Sequence, residues 1–253
     1  SYRMLIIMAV LVFLSACQAE ATQTPEPTLT PALPTPEPSA TIDWFPRTPT
    51  ATPQIPVTPQ PSQATRTTPI AANLIVADDF SDKELWQTST SSAGTVAYET
   101  DALSLALASG KNTLTSLSSH ELPPDFYLEI NLDALMCSPE DQFGLILWNN
   151  SSSGTYRLWF SCSGQVMLDR VLPSGITVLQ KWQIARKFQI GSPAKNRIGV
   201  RSQNGSLEVF VNQTQQFSYS PLREISGALG VIAQNSSEHA LTVRVSDLEI
   251  SNP

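Results

Sequence analysis

From Asn73 to the end of the chain, apolar and polar residues alternate with a period close to two. The clearest case is residues 126–134, where Phe126, Leu128 and Ile130 alternate with polar neighbours. A strand with one buried face has this period, whereas a helix repeats every 3.6 residues. Ten further runs have the same character: 95–99, 102–108, 112–117, 142–149, 155–162, 164–171, 196–202, 205–212, 227–234 and 240–250. Gly, Asn and Ser separate these runs, so the sequence predicts an all-β sandwich or barrel.

Composition divides the chain into three parts. Residues 1–16 are apolar, residues 18–72 contain 13 Pro and 13 Thr, and residues 73–253 have the pattern of one globular domain. The whole chain has a formal net charge of −7, and the globular part, with 12 Lys/Arg against 18 Asp/Glu, has −6. An acidic surface lacks the basic patch that nucleic-acid binding requires. We therefore expect no nucleic-acid partner.

The N-terminus has the features of an export signal. An apolar run at residues 4–14 follows Arg3; it is shorter than the ~20 residues needed to cross a bilayer and is typical of a signal peptide. The segment Leu14-Ser15-Ala16-Cys17 resembles the bacterial lipobox, in which a peptidase cuts before a diacylated cysteine. The resemblance implies that 1–16 is a lipoprotein signal peptide and that acyl chains such as palmitate on Cys17 anchor the protein to the cell membrane. The alternative is an ordinary signal peptide with a chance cysteine.

Residues 17–72 are expected to be a disordered tether that begins at the lipidated cysteine. Proline lacks a backbone donor and fixes φ, so neither helix nor sheet can propagate through this segment. The composition is typical of a polyproline-II spacer. The folded domain would then lie on the extracellular or periplasmic side of the membrane.

The order of signals in residues 74–250 resembles the concanavalin A-like (laminin-G-like) jelly-roll superfamily, as found in secreted and lipid-anchored bacterial proteins. The resemblance rests on an acidic opening segment with Trp86, long alternating strands, a hairpin and a closing strand. In sequence order these are Asp78-Asp79-Phe80-Ser81-Asp82, 143–148, 156–160, Gly164, 196–200, Asn204-Gly205, 207–212, 227–231 and 240–250. The resemblance implies a two-sheet antiparallel β-sandwich. It includes no catalytic signature, so it implies a fold rather than an activity.

Cys137 and Cys162 each lie at the end of a predicted strand in a domain expected to be exported, where disulfides persist. We predict that they form a disulfide; two free buried thiols are the alternative. If their strands are unbulged neighbours, both cysteines point to one face. Every second residue before each cysteine then lies on that face, which would carry acidic, amide, aromatic and apolar side chains. These residues are Tyr127, Glu129, Asn131, Asp133, Tyr156, Leu158 and Phe160.

A sugar-binding face combines an aromatic platform with polar groups that hold hydroxyls. Trp148, Tyr156, Arg157 and Trp159 cluster on predicted central strands. Together with Tyr127, Glu129, Asn131 and Asp133 they are the candidate ligand-binding residues. Tyr156 and Trp159 have opposite parity, so at most one of them can face a given groove. Core packing is the alternative role for each tryptophan, and we expect Trp86 and Trp182 to pack.

The resemblance also brings expectations about catalysis and metals. Glucanases of this superfamily use two carboxylates in a Glu-x-Asp-x-x-Glu or Glu-x-Asp-x-Glu run, which is absent from this sequence. Glu129 and Asp133 lie ~13 Å apart along a strand, beyond the ~9.5 Å limit for glycoside hydrolysis, so no catalytic residue is predicted. Related domains hold a structural calcium between the opening segment and the last strand, where Asp78, Asp79 and Asp247 are the candidate ligands.

These observations favour a surface-anchored, monomeric, non-catalytic binding module whose partner is a glycan or cell-envelope polymer. One alternative is a polysaccharide hydrolase whose carboxylates come from different strands. Another is an adhesive module that contacts an envelope protein, for which an apolar patch without a groove is expected.

Overall fold

The computed structural model describes residues 73–150, 154–223, 226–236 and 238–253. The signal peptide, Cys17 and the tether predicted from the sequence lie outside these residues. The described part of the chain forms fifteen strands, numbered β1 to β15 in chain order, and contains no helix. None of it could therefore cross a membrane as an apolar helix.

The strands form two antiparallel sheets, as predicted. The nine-stranded sheet has the order β13-β12-β11-β6-β15-β4-β3-β2, and β1 pairs with β15 as well. Its strands are β1 (Leu74–Asp78), β2 (Ser89–Ser91), β3 (Gly94–Glu99), β4 (Ala102–Leu107), β6 (Phe126–Met136), β11 (Ala194–Gln203), β12 (Ser206–Val211), β13 (Thr214–Tyr219) and β15 (Leu241–Ser251). The six-stranded sheet has the order β10-β9-β8-β7-β14-β5. Its strands are β5 (Thr113–Leu122), β7 (Gln142–Asn150), β8 (Gly154–Ser161), β9 (Gln165–Leu172), β10 (Gly175–Ile184) and β14 (Gly227–Gln234).

The core fills the space between the sheets. Leu128 and Ile130 of β6 and Leu158 and Phe160 of β8 are fully buried and face each other's sheets. Burial of each such side chain contributes about 1.5–3 kcal/mol. Because side chains alternate along a strand, the residues between them face outward. Any ligand site on the sheets must therefore be built from these outward-facing positions.

All eleven runs predicted from the alternation fall on strands, whereas β1, β2, β10 and β13 were not predicted. Three of these, β2, β10 and β13, are outermost strands of the two sheets, and the fourth outermost strand, β5, was predicted only from 112 to 117. An edge strand has less of its surface buried, so its sequence carries a weaker alternation. In β10 the pairing with β9 is also interrupted twice, between Val178 and Gln180 and between Gln180 and Gln183.

The predicted disulfide is confirmed and joins the two sheets. Cys137 follows β6 in the nine-stranded sheet and Cys162 follows β8 in the six-stranded sheet, and their Cα atoms lie 6.1 Å apart. The two cysteine-bearing strands lie in different sheets, so the condition that they are neighbours is not met. It follows that the face of acidic and aromatic residues built on that assumption does not exist as one surface.

Candidate functional site

The four candidate residues on β6 do share a face, the outer face of the nine-stranded sheet. Glu129 accepts a hydrogen bond of 3.0 Å from the Tyr127 hydroxyl and forms an ion pair of 2.8 Å with Arg197. The same guanidinium nitrogen of Arg197 lies 3.4 Å from a carboxylate oxygen of Glu249. Burial and the neighbouring Glu129 charge raise the pKa of Tyr127 to about 12. These side chains are engaged with one another, as on a solvated strand face.

Farther along the same face, Asn131 donates a hydrogen bond to Asp247, and Lys195 lies 3.9 Å from that carboxylate. Asp133 lies 3.8 Å from Arg244. Burial raises the pKa of the Asp133 carboxyl, and the charges of Lys195 and Arg244 oppose that shift. The face is thus a network of ion pairs and hydrogen bonds, in which Asp133 Oδ1 and Arg244 Nε are buried without a hydrogen-bond partner among the described residues.

Trp148 and Tyr156 are core residues, contrary to their candidate role in binding. They are 1% and 2% exposed and pack edge to face with ring centroids 5.5 Å apart. Trp148 has a positive φ of 50° where the β7–β8 pairing is interrupted, and its indole nitrogen donates to the Pro123 carbonyl at 2.9 Å. Such a bulge turns the side chain to the face opposite to that expected from simple alternation.

Arg157 and Trp159 face outward from the six-stranded sheet, so the opposite orientations predicted for Tyr156 and Trp159 are confirmed. Arg157 donates two hydrogen bonds to Asp169, of 2.8 and 2.6 Å, and its guanidinium lies 5.1 Å from the centre of the Trp159 ring. Trp159 is only 2% exposed. It forms a small apolar cluster with Ile146 and Ile232, against which Leu117, Met167 and Trp182 pack. Trp159 therefore packs beneath the other side chains of this face and does not offer an exposed ring to a ligand.

The predicted calcium ligands do not come together. Asp78 is buried and accepts hydrogen bonds of 2.8 Å from the Trp86 indole and from the Phe80 backbone. Asp247, by contrast, faces Asn131 on the outer side of the sheet, and Asp79 is capped by the Ser81 backbone at 3.0 Å. Among the described residues, no three His, Cys, Asp or Glu side chains are grouped to hold a metal ion. The three carboxylates thus have different partners, and a bound calcium stays a prediction.

A depression on the outer face of the six-stranded sheet lies where β7 and β9 begin and β8 and β14 end. Its volume is about 430 Å³, which falls in the ~300–1,000 Å³ range of small-molecule sites. We call it the Trp182 depression; it is lined by Pro139, Glu140, Gln142, Ser161, Ser163, Gln165, Trp182 and Ser236. None of these residues was among the sequence-predicted candidates.

The chemistry of the Trp182 depression differs from that of the nine-stranded face. Trp182 is half-buried, with one side packed on the Trp159 cluster. Beside it, the side-chain amides of Gln142 and Gln165 and the carboxylate of Glu140 make no hydrogen bond to any described residue. The Ser161 and Ser163 hydroxyls lie 2.9 Å apart. An aromatic surface bordered by unengaged amides can take a ligand that has both an apolar face and a polar rim.

The wall that carries Glu140 is held in place by the fold. Asp141 is fully buried; its carboxylate accepts hydrogen bonds from the Ser138 backbone at 2.8 Å and the Ser236 backbone at 3.0 Å. Its carbonyl accepts a 2.9 Å hydrogen bond from the backbone of Cys162, the disulfide partner of Cys137. The short segment between β6 and β7 is thus tied at both ends. A rigid wall lowers the entropy cost of ordering side chains when a ligand binds.

Comparison with known proteins shows the fold. No protein-family model matches the sequence, and a search of curated proteins finds no relative. Among solved structures, the carbohydrate-binding module CBM66 from Bacillus subtilis is similar, with 12% identity and a TM-score of 0.52 over 66% of this chain and 95% of that one. A Bacillus licheniformis beta-glucanase has 10% identity and a TM-score of 0.52 over 73% and 100% of the two chains. A Bacillus subtilis protein of unknown function with a galectin-like fold has 9% identity and a TM-score of 0.54 over 71% and 96%. The described domain is therefore a two-sheet jelly-roll sandwich of the kind seen in these proteins.

Proposed function

We propose that this domain binds a glycan in the Trp182 depression. The observation that carries the proposal is the half-buried side chain of Trp182 beside the unengaged amides of Gln142 and Gln165. A sugar ring presents C–H groups on one face and hydroxyls around its edge. The indole can pack on the C–H face while the amides, which both donate and accept, hold the hydroxyls. The carbohydrate-binding module among the structures of similar fold is consistent with this proposal.

We propose further that the module is non-catalytic. On the outer face of the six-stranded sheet, Asp169 is held by two hydrogen bonds from Arg157. Both oxygens of the Asp169 carboxylate are thus engaged by Arg157, and the described lining of the Trp182 depression contains one carboxyl group, that of Glu140. Glycoside hydrolysis needs a second carboxyl group that can carry a proton at the right distance.

A hydrolase remains the second candidate because the fold brings two carboxylates together from different strands. Glu129 of β6 and Glu249 of β15 are direct partners in the sheet register and both contact Arg197. One Arg197 nitrogen lies 2.8 Å from a Glu129 oxygen and 3.4 Å from a Glu249 oxygen, so the two oxygens are separated by at most the sum of these distances. Both carboxylates are ion-paired with Arg197, which is why we rank this candidate second.

The location that we propose follows from the N-terminal sequence. Diacylated Cys17 would hold the protein at the cell membrane, since two acyl chains suffice for stable anchoring. The Pro/Thr-rich segment 18–72 would then carry the domain away from the membrane toward glycans of the envelope or its surroundings. No lipid-directed contact by the domain itself is needed for this arrangement.

One assay separates the two candidates. The purified protein is incubated with a panel of bacterial and plant glycans, and both retention and release of reducing sugar are measured. We expect retention of at least one glycan without release of reducing sugar. Release that disappears in Glu129→Gln would establish the hydrolase instead. Neither retention nor release across the panel would contradict the glycan-binding proposal and favour a protein-binding role.

A further inference from the structure

The charge of the Trp182 depression indicates which glycans it accepts. We propose that the depression selects neutral glycans and rejects anionic ones, and that Glu140 is the residue that determines this selectivity. The inference rests on the proposed glycan-binding function. It concerns the class of ligand, which neither the fold nor the aromatic platform decides.

The described residues that line the depression carry negative charge only. Among the described residues of the lining, Glu140 is the one ionisable residue, and none is Lys, Arg or His. The other polar groups are amides and hydroxyls of Gln142, Gln165 and the serines, which bind neutral hydroxyls equally well in either hydrogen-bonding direction. A uronate, sulfate or sialate group entering the depression would thus meet a negative charge without a cation to compensate for it.

Cations near the depression are not available to pair with an anionic group of a glycan. Arg157, on the same face, is bound at two nitrogens by Asp169, whose side chain is only 4% exposed. Lys181 precedes Trp182 in the chain but does not line the depression. The domain as a whole carries a net charge of −6, so its long-range field also disfavours polyanions.

The backbone at Glu140 is held in a fixed position. Its segment is tied by the Cys137–Cys162 disulfide on one side and by the hydrogen bonds of buried Asp141 on the other. The backbone at Glu140 therefore cannot easily swing away from an incoming anion. Repulsion between two like charges at close range is stronger where solvent is partly excluded than in open water.

Matched pairs of polymers test the inference. Laminarin, mannan and levan are each compared with a derivative in which primary hydroxyls have been oxidised to carboxylates, using affinity electrophoresis of the purified protein. We expect the wild-type protein to bind a retained neutral polymer at least about fivefold more tightly than its oxidised form, a ratio that corresponds to about 1 kcal/mol. The ratio should fall as salt is raised, because salt screens exposed charges.

Two variants assign the effect to its residue. Glu140→Gln should bring the affinity for the oxidised polymer close to the affinity for the neutral polymer. Glu99→Gln removes one exposed charge from the end of β3 in the other sheet and should leave the ratio unchanged. Equal binding of both polymers by the wild type, or a ratio that persists in Glu140→Gln, would overturn the inference and leave the glycan-binding proposal standing. Failure to retain any neutral polymer would overturn the glycan-binding proposal, and the inference with it.

Discussion

At the scale of single residues, the ion pair of Arg157 with Asp169 is the most consequential polar contact on the six-stranded sheet. Asp169 is almost fully buried, and Arg157 supplies two of its hydrogen bonds. Arg157→Met should lower the free energy of unfolding by about 3 kcal/mol, because a buried carboxylate loses its partner. Urea unfolding measures this loss.

Two further variants make that prediction specific. The double variant Arg157→Met/Asp169→Leu should recover most of the lost stability, since it leaves no buried charge unpaired. Arg201 is 44% exposed and pairs with Glu208, so Arg201→Met should cost less than about 1 kcal/mol. Equal losses for Arg157→Met and Arg201→Met would contradict our account of this pair.

The raised pKa of Tyr127 predicts a pH dependence of stability. Its folded-state pKa is about 12 against an ordinary value of 10.0, chiefly because of burial. Between these values the unfolded chain releases the proton first, so the free energy of unfolding should fall as pH rises from about 10 to 12. Tyr127→Phe should reduce this fall, as measured by urea unfolding at pH 9, 10, 11 and 12. Identical pH profiles for the two proteins would show that Tyr127 does not contribute.

Trp148 and Trp182 illustrate which residue roles could not be predicted from the sequence. Alternation along β7 gives Trp148 an outward position, but the bulge after Leu147 turns it into the core. Trp182 was expected to pack, and it does so on one side only. Both outcomes depend on interruptions of pairing that leave no distinct residue pattern. By contrast, Trp86 packs in the core as expected and stacks on Phe80 with ring centroids 5.5 Å apart.

Among the secondary-structure elements, the central strands could be predicted from the sequence, whereas the edge strand that carries Trp182 could not. The reason is that a central strand has one face buried along its length and an edge strand does not. β6 lies between β11 and β15 and is buried on its inner face, so its alternation is strong, and the predicted run 126–134 covers all but its last two residues. β10 is an edge strand with exposed Ile176 and Val178 and two interruptions in pairing. Its alternation is weak, and it was missed together with Trp182. Sites at sheet edges will therefore be harder to predict than the cores that support them.

The disulfide between the segments after β6 and β8 should contribute measurably to stability. Cys137 and Cys162 are 25 residues apart, so closing that loop in the unfolded chain is worth about 3 kcal/mol on the chain-entropy model. Cys137→Ser/Cys162→Ser should lower the free energy of unfolding by about that amount in urea. The matched variant Cys17→Ser should leave it unchanged. No difference between the two variants would contradict a stabilising role for the cross-link.

At the scale of the whole molecule, the proposed anchor makes a prediction about location. When the full-length precursor is expressed in a bacterium, the protein should be recovered in the membrane fraction with a diacylated N-terminal Cys17, as measured by mass spectrometry. Cys17→Ser should move it out of that fraction, since two acyl chains supply the membrane affinity. Membrane recovery that is unaffected by Cys17→Ser would contradict the lipoprotein proposal.

We propose Trp182 as the surface on which a glycan packs. Calorimetric titration with the best-retained glycan should show a loss of about tenfold or more in affinity for Trp182→Ala, since an aromatic anchor contributes about 1–2 kcal/mol. Trp182→Phe should retain most of the affinity, and Ile176→Ala, at an exposed position near the other end of the same strand, should retain all of it. Unchanged affinity in Trp182→Ala, with its unfolding temperature also unchanged, would contradict the claim and place the binding site elsewhere on the domain.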